Sequence, residues 1–238
     1  MVRVLVTRPE PGASRTARRL EGMGFQPILL PLTETVALPV DASSVAKAAV
    51  AVAVTSANAV RHAPKEIIAA LAALPCHAVG KRTAEAARAA GFLSVSEGPG
   101  DAEALALEIA DGFSDKTIVY LCGRVRFPAF EARLQAEGVQ VRPVETYDTV
   151  TLDYSDDAIV ELLSGQPVEA ALLYSAKAAV AMQALIGRPA LHHLLEKMHF
   201  FSLSARIVAA LDDVAAEKIR IAAEPHEEAL LELLRAGR

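Results

Sequence analysis

The chain has 238 residues, of which 53% are apolar and 22% are charged, and its formal net charge is −5. This length suits one large domain or two small ones, and the apolar share is enough to bury a core. The negative net charge excludes a global basic field, so we expect no nucleic-acid partner and no anionic membrane surface, and an anionic substrate would need a locally basic cleft.

Cysteine and histidine usage favours an intracellular chain without a metal site. The two cysteines, Cys76 and Cys122, are fewer than a secreted scaffold of this size usually carries. No Cys/His cluster has zinc spacing, and the adjacent His192 and His193 cannot face one way on a helix. The apolar run before Arg8 is too short for a signal peptide, and no run approaches the ~20 residues of a membrane span. We therefore predict a cytoplasmic protein.

Short apolar, β-branched runs alternate with Ala/Leu/Glu-rich stretches along the whole chain. Strands that are apolar on both faces and separated by helices are typical of parallel sheets covered on both sides. The predicted strands are 2–6, 27–32, 50–54, 77–79, 117–121, 139–144, 170–174, 199–203 and 219–222. The predicted helices are 14–23, 57–74 with an interruption at Pro64, 83–90, 102–109 and 127–137, and a helix follows each later strand.

The sequence also repeats itself. The matching segments are 53–60 with 173–180, 79–82 with 203–206, 103–105 with 228–230 and, less closely, 7–31 with 122–143. The order of these segments predicts one lobe made from both termini (1–35 and 150–238), with the other lobe (36–149) inserted into it. The crossings at 33–38 and 147–152 are extended and Thr/Val-rich. The predicted fold class is thus α/β: two parallel-sheet lobes with an internal repeat, joined by a two-stranded antiparallel linker.

Hydroxyl-bearing and basic residues follow many of the predicted strands. Open parallel sheets bind ligands beyond the carboxyl ends of their strands, where helix N-termini favour an anion. The turns concerned are 7–8, 55–56, 80–83, 122–124, 174–175 and 202–204. If the turns of the two lobes face each other, they form a cleft for a ligand with several negative groups. Two alternatives stay open: Ser and Thr at strand ends are common helix caps, and Arg is often a solvated surface charge.

Other site types lack their motifs. No G-x-G-x-x-G follows a strand and no Walker loop is present, so a nucleotide site is not indicated. Ser56 and Ser175 lack a G-x-S-x-G elbow and an evident histidine partner, which argues against a nucleophilic triad.

Tyr147 stands at the end of a predicted strand, where the proposed linker begins. It is either a packing residue or a weak acid and hydrogen-bond donor that directs its hydroxyl into the cleft between the lobes. Glu145 and Asp148 are three residues apart on an extended segment. Regular alternation would send their side chains to opposite sides, so we expect no carboxylate pair.

Seven short segments keep a distinctive order and spacing. They are 4–9 (VLVTRP), 54–60 (VTSANAV), 79–84 (VGKRTA), 121–123 (LCG), 143–149 (PVETYDT), 174–176 (YSA) and the closing stretch 221–230. Together they resemble the uroporphyrinogen-III synthase family along nearly the whole chain. The resemblance implies two α/β lobes, one of them discontinuous, joined by a two-stranded ladder.

The resemblance also implies an activity. Members of this family are hydro-lyases of porphyrin and heme biosynthesis that use no metal and no organic cofactor. They dehydrate and cyclise hydroxymethylbilane to uroporphyrinogen III, and they invert ring D through a spirocyclic intermediate. The substrate carries carboxylates on acetate and propionate arms, and loss of hydroxide leaves a reactive azafulvene, so the enzyme's main task is to orient the ring carbon that attacks. A monomer is expected, and the preceding enzyme of the pathway could hand over the substrate.

Site residues follow from the same resemblance. Tyr147 matches the tyrosine proposed to assist hydroxide departure. The predicted substrate-binding residues are Arg8, Thr55, Ser56, Lys81, Arg82, Thr83, Gly123, Arg124, Ser175, Ala176, Lys177, Ser204 and Arg206. The chain departs from the family pattern at 204–206, where some members have Gly and Thr. The alternative function is a two-lobed, non-catalytic binding protein for an anionic small molecule.

Overall fold

A computed structural model describes residues 1–41, 45, 48–126, 128–212 and 214–237. The chain divides into two compact units: unit 1 comprises Met1–Glu34 and Val150–Arg238, and unit 2 comprises Thr35–Thr149. Within the described ranges, none of the helices has the length and apolar character needed to cross a membrane. The same residues contain no group of three His, Cys, Asp or Glu side chains that could hold a metal ion.

Strands and helices alternate as the sequence pattern predicts. The strands are β1 (Arg3–Val6), β2 (Gln26–Leu29), β3 (Thr33–Ala37), β4 (Ala49–Val54), β5 (Cys76–Ala78), β6 (Val95–Glu97), β7 (Thr117–Gly123), β8 (Gln140–Thr151), β9 (Ala170–Leu173), β10 (His199–Ser202) and β11 (Ile219–Ile221). The helices are α1 (Gly12–Gly22), α2 (Ala57–Arg61), α3 (Lys65–Leu71), α4 (Lys81–Ala90), α5 (Ala102–Phe113), α6 (Pro128–Ala136), α7 (Asp156–Leu162), α8 (Ala176–Ile186), α9 (His192–Leu195), α10 (Ala205–Val208) and α11 (Glu227–Ala236).

Unit 1 has a five-stranded sheet in the order β11-β10-β9-β1-β2, and all neighbouring strands are parallel. Val4 and Val6 of β1 pack with α1 and α11 on one face of this sheet. Leu5, between them, packs with α7, α8 and α10 on the other face. Side chains of a strand alternate between the two faces, so an all-apolar strand such as β1 is buried on both sides.

Unit 2 has a six-stranded sheet in the order β3-β8-β7-β4-β5-β6. The strands from β8 to β6 are parallel. Ala51 and Ala53 of β4 pack with α5 and α6, whereas Val52 and Val54 pack with α2, α3 and α4. This sheet is therefore also covered on both faces.

The two extended crossings pair with each other, as predicted for the linker. The backbone N–H of Leu38 donates to the carbonyl of Thr146 (2.9 Å), and that of Leu152 donates to the carbonyl of Leu32 (3.0 Å). Leu38 comes after Leu32 in the chain, but its partner Thr146 comes before Leu152. The two segments, β3 and the end of β8, therefore run antiparallel. The predicted strand at 139–144 continues through the linker as the single strand β8.

The sheet orders confirm the internal repeat. The order β2-β1-β9-β10-β11 in unit 1 corresponds to β8-β7-β4-β5-β6 in unit 2. The predicted register of the first repeat is wrong by one residue. Ser56 and Ser175 each cap the helix that follows, so Ser56 corresponds to Ser175 and not to Ala176. Similar Ala-rich composition in α2 and α8 guided the sequence match, whereas a cap fixes where a helix begins.

A few elements differ from the sequence prediction. The predicted helix at 57–74 is two helices, α2 and α3, with Pro64 between them. The strand β6 and the helix α7 were not predicted. Of the helix predicted at 127–137, Phe127 lies outside the described residues, and α6 begins at Pro128.

Candidate active site

The strand order of unit 2 reverses between β4 and β7. The helices α2, α3 and α4, which follow β4 and β5, pack on one face of the sheet, whereas α5 and α6 pack on the other. The crevice outside the carboxyl ends of two such strands is where open α/β sheets bind ligands. We call this position the switch point of the unit.

A cavity of about 190 Å³ lies at the switch point of unit 2. Its wall is formed by residues that follow β4, by residues of β7 and the turn after it, by the start of α5, and by one residue each of α6 and β8. The lining residues are Thr55, Ser56, Ala102, Tyr120, Gly123, Val125, Arg126, Phe130 and Tyr147. Thr55, Ser56, Gly123 and Tyr147 belong to the predicted set, so the structure brings these four residues together.

A β-bulge at Thr146 helps to direct Tyr147 towards this cavity. Cys122 of β7 lies opposite Glu145 of β8, but the next residue, Gly123, lies opposite Tyr147, which makes Thr146 the extra residue. Thr146 is buried, and its hydroxyl donates to a backbone carbonyl of α2 (2.6 Å). Since a bulge changes which side of the strand the following side chains take, the buried Thr146 fixes where Tyr147 points.

The Tyr147 ring is held by contacts on several sides. Its hydroxyl donates to Ser56 Oγ (3.2 Å), which also accepts the backbone N–H of Asn58. The ring stacks on the imidazole of His62, with 5.9 Å between the ring centroids and 29° between the planes. Gly123 lies against the ring, and a Cβ atom there would come within 2.7 Å of Tyr147 Cζ. Tyr147 is thus positioned, and a ligand in the cavity could replace Ser56 as its hydrogen-bond partner.

His62 is a residue of this site that the sequence reading missed. Its Nε2 lies 2.9 Å from Thr35 Oγ1, which fixes the plane of the ring that stacks on Tyr147. Burial lowers the pKa of His62, and the positive charge of Arg61 lowers it further, so the neutral imidazole is favoured. The sequence places His62 at the end of a helix, where a solvated histidine is common, so it gave no signal of this contact.

Thr55, Tyr120 and Cys122 lie where β4 and β7 end. The hydroxyl oxygens of Thr55 and Tyr120 are 2.6 Å apart. Burial raises the pKa of Tyr120 to about 12, although the Thr55 bond opposes this. Burial also raises the pKa of the Cys122 thiol to about 12. Both groups stay protonated near neutral pH, so neither supplies an anion or a thiolate to the site.

Arg126 brings a positive charge to the cavity wall, where two carboxylates bind it. Its Nε donates to Glu131 (2.6 Å) and its Nη1 donates to Glu145 (2.9 Å). The predicted residue Arg124 pairs with Glu145 (3.5 Å) and with Asp148 (3.2 Å). These two arginines and three carboxylates carry a net charge of −1.

The expectation that Glu145 and Asp148 point to opposite sides is wrong, since both reach Arg124. The bulge adds one residue between them and so inverts the regular alternation. Arg126 itself was missed because it lies two residues beyond the predicted turn, in a stretch that reads as charged surface.

The predicted residues Lys81, Arg82 and Thr83 form the first turn of α4, which follows β5. Lys81 and Arg82 are exposed, and Thr83 is buried. These three residues are at the carboxyl edge of the sheet but do not line the cavity.

Unit 1 has its own switch point, between β1 and β9, since α1 packs on one face of the sheet and α8 on the other. The guanidinium of the predicted residue Arg8 lies 4.3 Å from the ring centroid of Tyr174 and pairs with Glu227 at 3.0 Å. The Tyr174 hydroxyl also donates to Glu227 (3.2 Å), and burial raises the pKa of Tyr174 to about 12. Side chains of unit 1 therefore contact one another at this crevice.

The remaining predicted residues begin helices of unit 1. Ser175 caps α8, because its Oγ accepts the backbone N–H of Ala178 (3.2 Å). The capping alternative therefore holds for Ser175, as it does for Ser56. The others lie at the starts of α8 and α10: Ala176, Lys177, Ser204 and Arg206. Ser204 holds the N-cap position of α10, and Arg206 is exposed.

Unit 1 also contains a larger cavity, of about 400 Å³. Met198 and Phe200 form part of its wall, which places it at the start of β10, and most of its lining residues are apolar. We take the smaller cavity of unit 2 as the candidate active site, because it lies at the carboxyl end of the strands and has several hydroxyl and charged groups around it.

Comparison with known proteins agrees with this architecture. The sequence profile of the uroporphyrinogen-III synthase HemD family matches residues 14–232. No sequence match is found among proteins of curated function. The structure of the uroporphyrinogen-III synthetase from Helicobacter pylori aligns over 100% of both chains, with a TM-score of 0.64 and 19% identity. A mutant uroporphyrinogen III synthase from Thermus thermophilus aligns over 100% of this chain and 97% of its own, with a TM-score of 0.57 and 17% identity.

At such identities the two structures support the fold alone, whereas the profile match covers nearly the whole chain and so decides the family. The two α/β units with mostly parallel sheets agree with it. The chain belongs to the uroporphyrinogen-III synthase family.

Proposed function

We propose that this chain closes hydroxymethylbilane at the switch-point cavity of unit 2, with Tyr147 as the donor to the departing hydroxyl group. The family consists of lyase-type enzymes of tetrapyrrole and heme biosynthesis, so a non-catalytic binding protein is not favoured. The observation that carries the assignment to this cavity is the Tyr147 hydroxyl, held at the switch point by Ser56 and by the glycine against its ring.

The size of the cavity limits what it can hold. Pockets that enclose whole small molecules have volumes of roughly 300–1,000 Å³. A cavity of about 190 Å³ therefore admits only part of a linear tetrapyrrole. The part placed beside Tyr147 is the end that carries the hydroxymethyl group, since this is where the C–O bond breaks.

The charge around the cavity suits an electron-poor intermediate. Arg126 at the wall belongs to the network of two arginines and three carboxylates with a net charge of −1. A negative network favours the azafulvene that remains after hydroxide departs. The carboxylate arms of the substrate would meet like charge here, and exposed cations such as Lys81 and Arg82 at the same edge of the sheet suit them better.

The chemical step needs one proton donor. As the C–O bond of the hydroxymethyl group breaks, the Tyr147 hydroxyl gives its proton to the leaving oxygen, and water departs. The carbon of ring D that already bears the methylene bridge to ring C attacks the azafulvene methylene, and this bond gives the spirocyclic intermediate. The earlier bond between that carbon and the bridge then breaks, and the bridge bonds to the other α-carbon of ring D, which inverts the ring. The Tyr147 phenolate takes back a proton when the rearranged macrocycle loses one, so the tyrosine ends unchanged.

The test is turnover of freshly made hydroxymethylbilane by the variant Tyr147→Phe. We expect a rate lower by about 10²-fold, at the low end of general-acid effects, because this hydroxyl leaves readily without help. The control is Tyr154→Phe in unit 1, whose hydroxyl donates to the carbonyl of Pro31 (2.8 Å) and which should keep its rate. An unchanged rate of type III formation in Tyr147→Phe would show that Tyr147 is not the donor to the departing hydroxyl group.

The proposal extends to properties of the whole chain. We propose that the two units are the two domains of the enzyme, that it works as a cytoplasmic monomer, and that the preceding enzyme of the pathway hands over the substrate. The two cysteines are free and buried, which favours a reducing compartment. Sedimentation of the chain alone and with the preceding enzyme would test the monomer and the hand-over.

A further inference from the structure

Donors of unit 1 converge on one carboxylate, that of Glu227. Arg8 and Arg19 each place an Nη1 atom 3.0 Å from a Glu227 oxygen. The Tyr174 hydroxyl donates at 3.2 Å, and the hydroxyl of Thr16 donates as well. Charge-assisted bonds of this kind are the strong ones in proteins. Here two of the four donors lie on α1, and the other two lie in the turns after β1 and β9.

Arg8, Thr16 and Tyr174 also make contacts that do not involve Glu227. Arg8 lies over the Tyr174 ring and so close to Gly12, the first residue of α1, that a Cβ atom there would clash with its guanidinium. Thr16 is fully buried. The side chain of Glu227 is 22% exposed, so its carboxylate remains within reach of solvent. The four donors thus form a cradle with an open side.

The carboxylate is charged in this cradle. Burial raises the pKa of Glu227, but the Thr16 hydrogen bond and the charges of Arg8 and Arg19 outweigh it and hold the pKa below its usual range.

The equivalent crevice in unit 2 has no carboxylate at the position of Glu227. The helices α11 and α5 follow equivalent strands, and their first residues are Glu227 and Ala102. Likewise, the residue before the capping serine is Tyr174 in unit 1 and Thr55 in unit 2. With the small residues Ala102 and Thr55 the switch point is an open cavity, whereas in unit 1 the side chain of Glu227 occupies the crevice.

We propose that Arg8, Thr16, Arg19 and Tyr174 form a carboxylate-binding site, that Glu227 occupies this site in the free chain, and that a carboxylate arm of the substrate replaces Glu227. The identity of the arm as a substrate group rests on the proposed function, whereas the site itself does not. Replacement exchanges one carboxylate for another among the same donors, so the bonds that Glu227 loses are regained by the arm.

The first test uses acetate, which matches the atoms that Glu227→Ala removes. We expect acetate to raise the melting temperature of this variant by about 3 °C over chloride of equal ionic strength, at an acetate concentration about tenfold above its dissociation constant. The matched control is Glu228→Ala, which removes the neighbouring carboxylate, bound to Arg19 at 3.0 Å and 64% exposed. Acetate should not affect this control or the unchanged chain. Equal melting temperatures of Glu227→Ala in acetate and chloride would overturn the site.

The second test uses Glu227→Gln, which keeps the shape of the side chain and removes the competing charge. If an arm must replace Glu227, the KM for hydroxymethylbilane should fall by about threefold or more, because the binding-competent state is populated more often. A KM that is unchanged or raised would overturn the replacement. If acetate has no effect on Glu227→Ala while Tyr147→Phe lowers the rate as expected, only this inference is refuted. If acetate stabilises Glu227→Ala while Tyr147→Phe keeps its rate, only the proposed function is refuted.

Discussion

The two switch points of this chain share a layout and differ in what fills them. In unit 2 the crevice is an open cavity of about 190 Å³ with Ala102 and Thr55 at its wall. In unit 1 the equivalent positions hold Glu227 and Tyr174, which bind each other and Arg8. A repeat can therefore keep its strand order while a few side chains decide whether a crevice is empty or filled.

The difference also separates two kinds of chemistry. The network beside the open cavity carries a net charge of −1, whereas unit 1 collects arginines around a single carboxylate at its crevice. An electron-poor reacting centre suits the first environment, and an anionic arm suits the second. The duplicated fold thus has one crevice beside a negative network and another in which cations surround a carboxylate.

Closing the open cavity should have the largest effect. Ala102→Glu places in unit 2 the residue that fills the crevice of unit 1. We expect kcat/KM for type III formation to fall by at least about 10²-fold, because the reacting end loses its position. The fold should persist, since an acidic residue suits the first turn of α5.

The control for this variant is Ala89→Glu, the same change at an exposed position of α4. Both variants should melt near the unchanged chain. Full activity in a folded Ala102→Glu variant would show that the cavity is not the reaction site.

Removing the ring behind Tyr147 should have a smaller effect. His62→Ala loses the stack on Tyr147 and the bond to Thr35. A lost aromatic contact costs about 0.5–1.5 kcal/mol, so we expect turnover to fall about two- to tenfold. The fraction of type I product should rise, because a misplaced Tyr147 lets the azafulvene escape.

His62→Phe keeps a ring at this position and should restore most of the rate and the isomer ratio. This rescue separates a positioning role from a merely structural one. Equal losses in His62→Ala and His62→Phe, without a change in the isomer ratio, would argue against positioning.

The two capping serines allow a matched comparison of the units. Ser56→Ala and Ser175→Ala each remove an N-cap, so each should lower the free energy of unfolding by about 0.5–2 kcal/mol. Only Ser56 also accepts the Tyr147 hydroxyl. We expect its loss to lower the rate of type III formation about threefold more than the loss of Ser175, given the net worth of one hydrogen bond. Identical rates for the two variants would show that the hydrogen bond from Tyr147 to Ser56 does not contribute to the reaction.

The smallest effect concerns pH and His77. Its Nδ1 lies 3.1 Å from Ser96 Oγ, and its buried Nε2 has no hydrogen-bond partner in the part of the chain that the structure describes. Burial lowers the pKa of His77, although Glu108 opposes this. The unfolded chain therefore binds more protons than the folded chain between the folded pKa and about 6.5.

The stability contributed by neutral His77 is complete above about pH 6.5 and falls as the pH drops towards the folded pKa, with a slope of at most about 1.4 kcal/mol per pH unit. Urea unfolding at several pH values would show this slope, and it should decrease in His77→Phe, which suits the neighbouring Phe113 ring. His62 has a pKa lowered in the same direction and should leave a residual slope. Equal slopes in both chains would contradict the assignment to His77.

The sequence predicted what depends on local pattern. Strands such as β1 and β4 carry buried apolar residues on both faces, which is why apolar runs separated by helical stretches indicated parallel sheets. The prediction failed for elements that are short or lack this pattern. The strand β6 has only three residues, none of them buried. The helix α7 follows a capping serine, Ser155, rather than an apolar strand.

The residues that line the candidate cavity were predicted in part for a similar reason. Thr55 and Ser56 follow β4 and Gly123 ends β7, where sequence alone indicates a ligand position. The bulge at Thr146 depends on a pairing between β7 and β8 and changes the side on which Asp148 lies. The filling of the unit 1 crevice depends on a contact between residues 8 and 227, which no local pattern records.

The most direct test of the central claim is fluorine NMR of the chain with its four tyrosines replaced by 3-fluorotyrosine. Single Tyr→Phe variants assign the resonances, and uroporphyrinogen III is added without oxygen. The account predicts that the Tyr147 and Tyr120 resonances shift together as the product saturates the chain, while that of Tyr154 does not. If the product saturates the chain and the resonances of Tyr147 and Tyr120 do not shift, the switch-point cavity of unit 2 is not the reaction site.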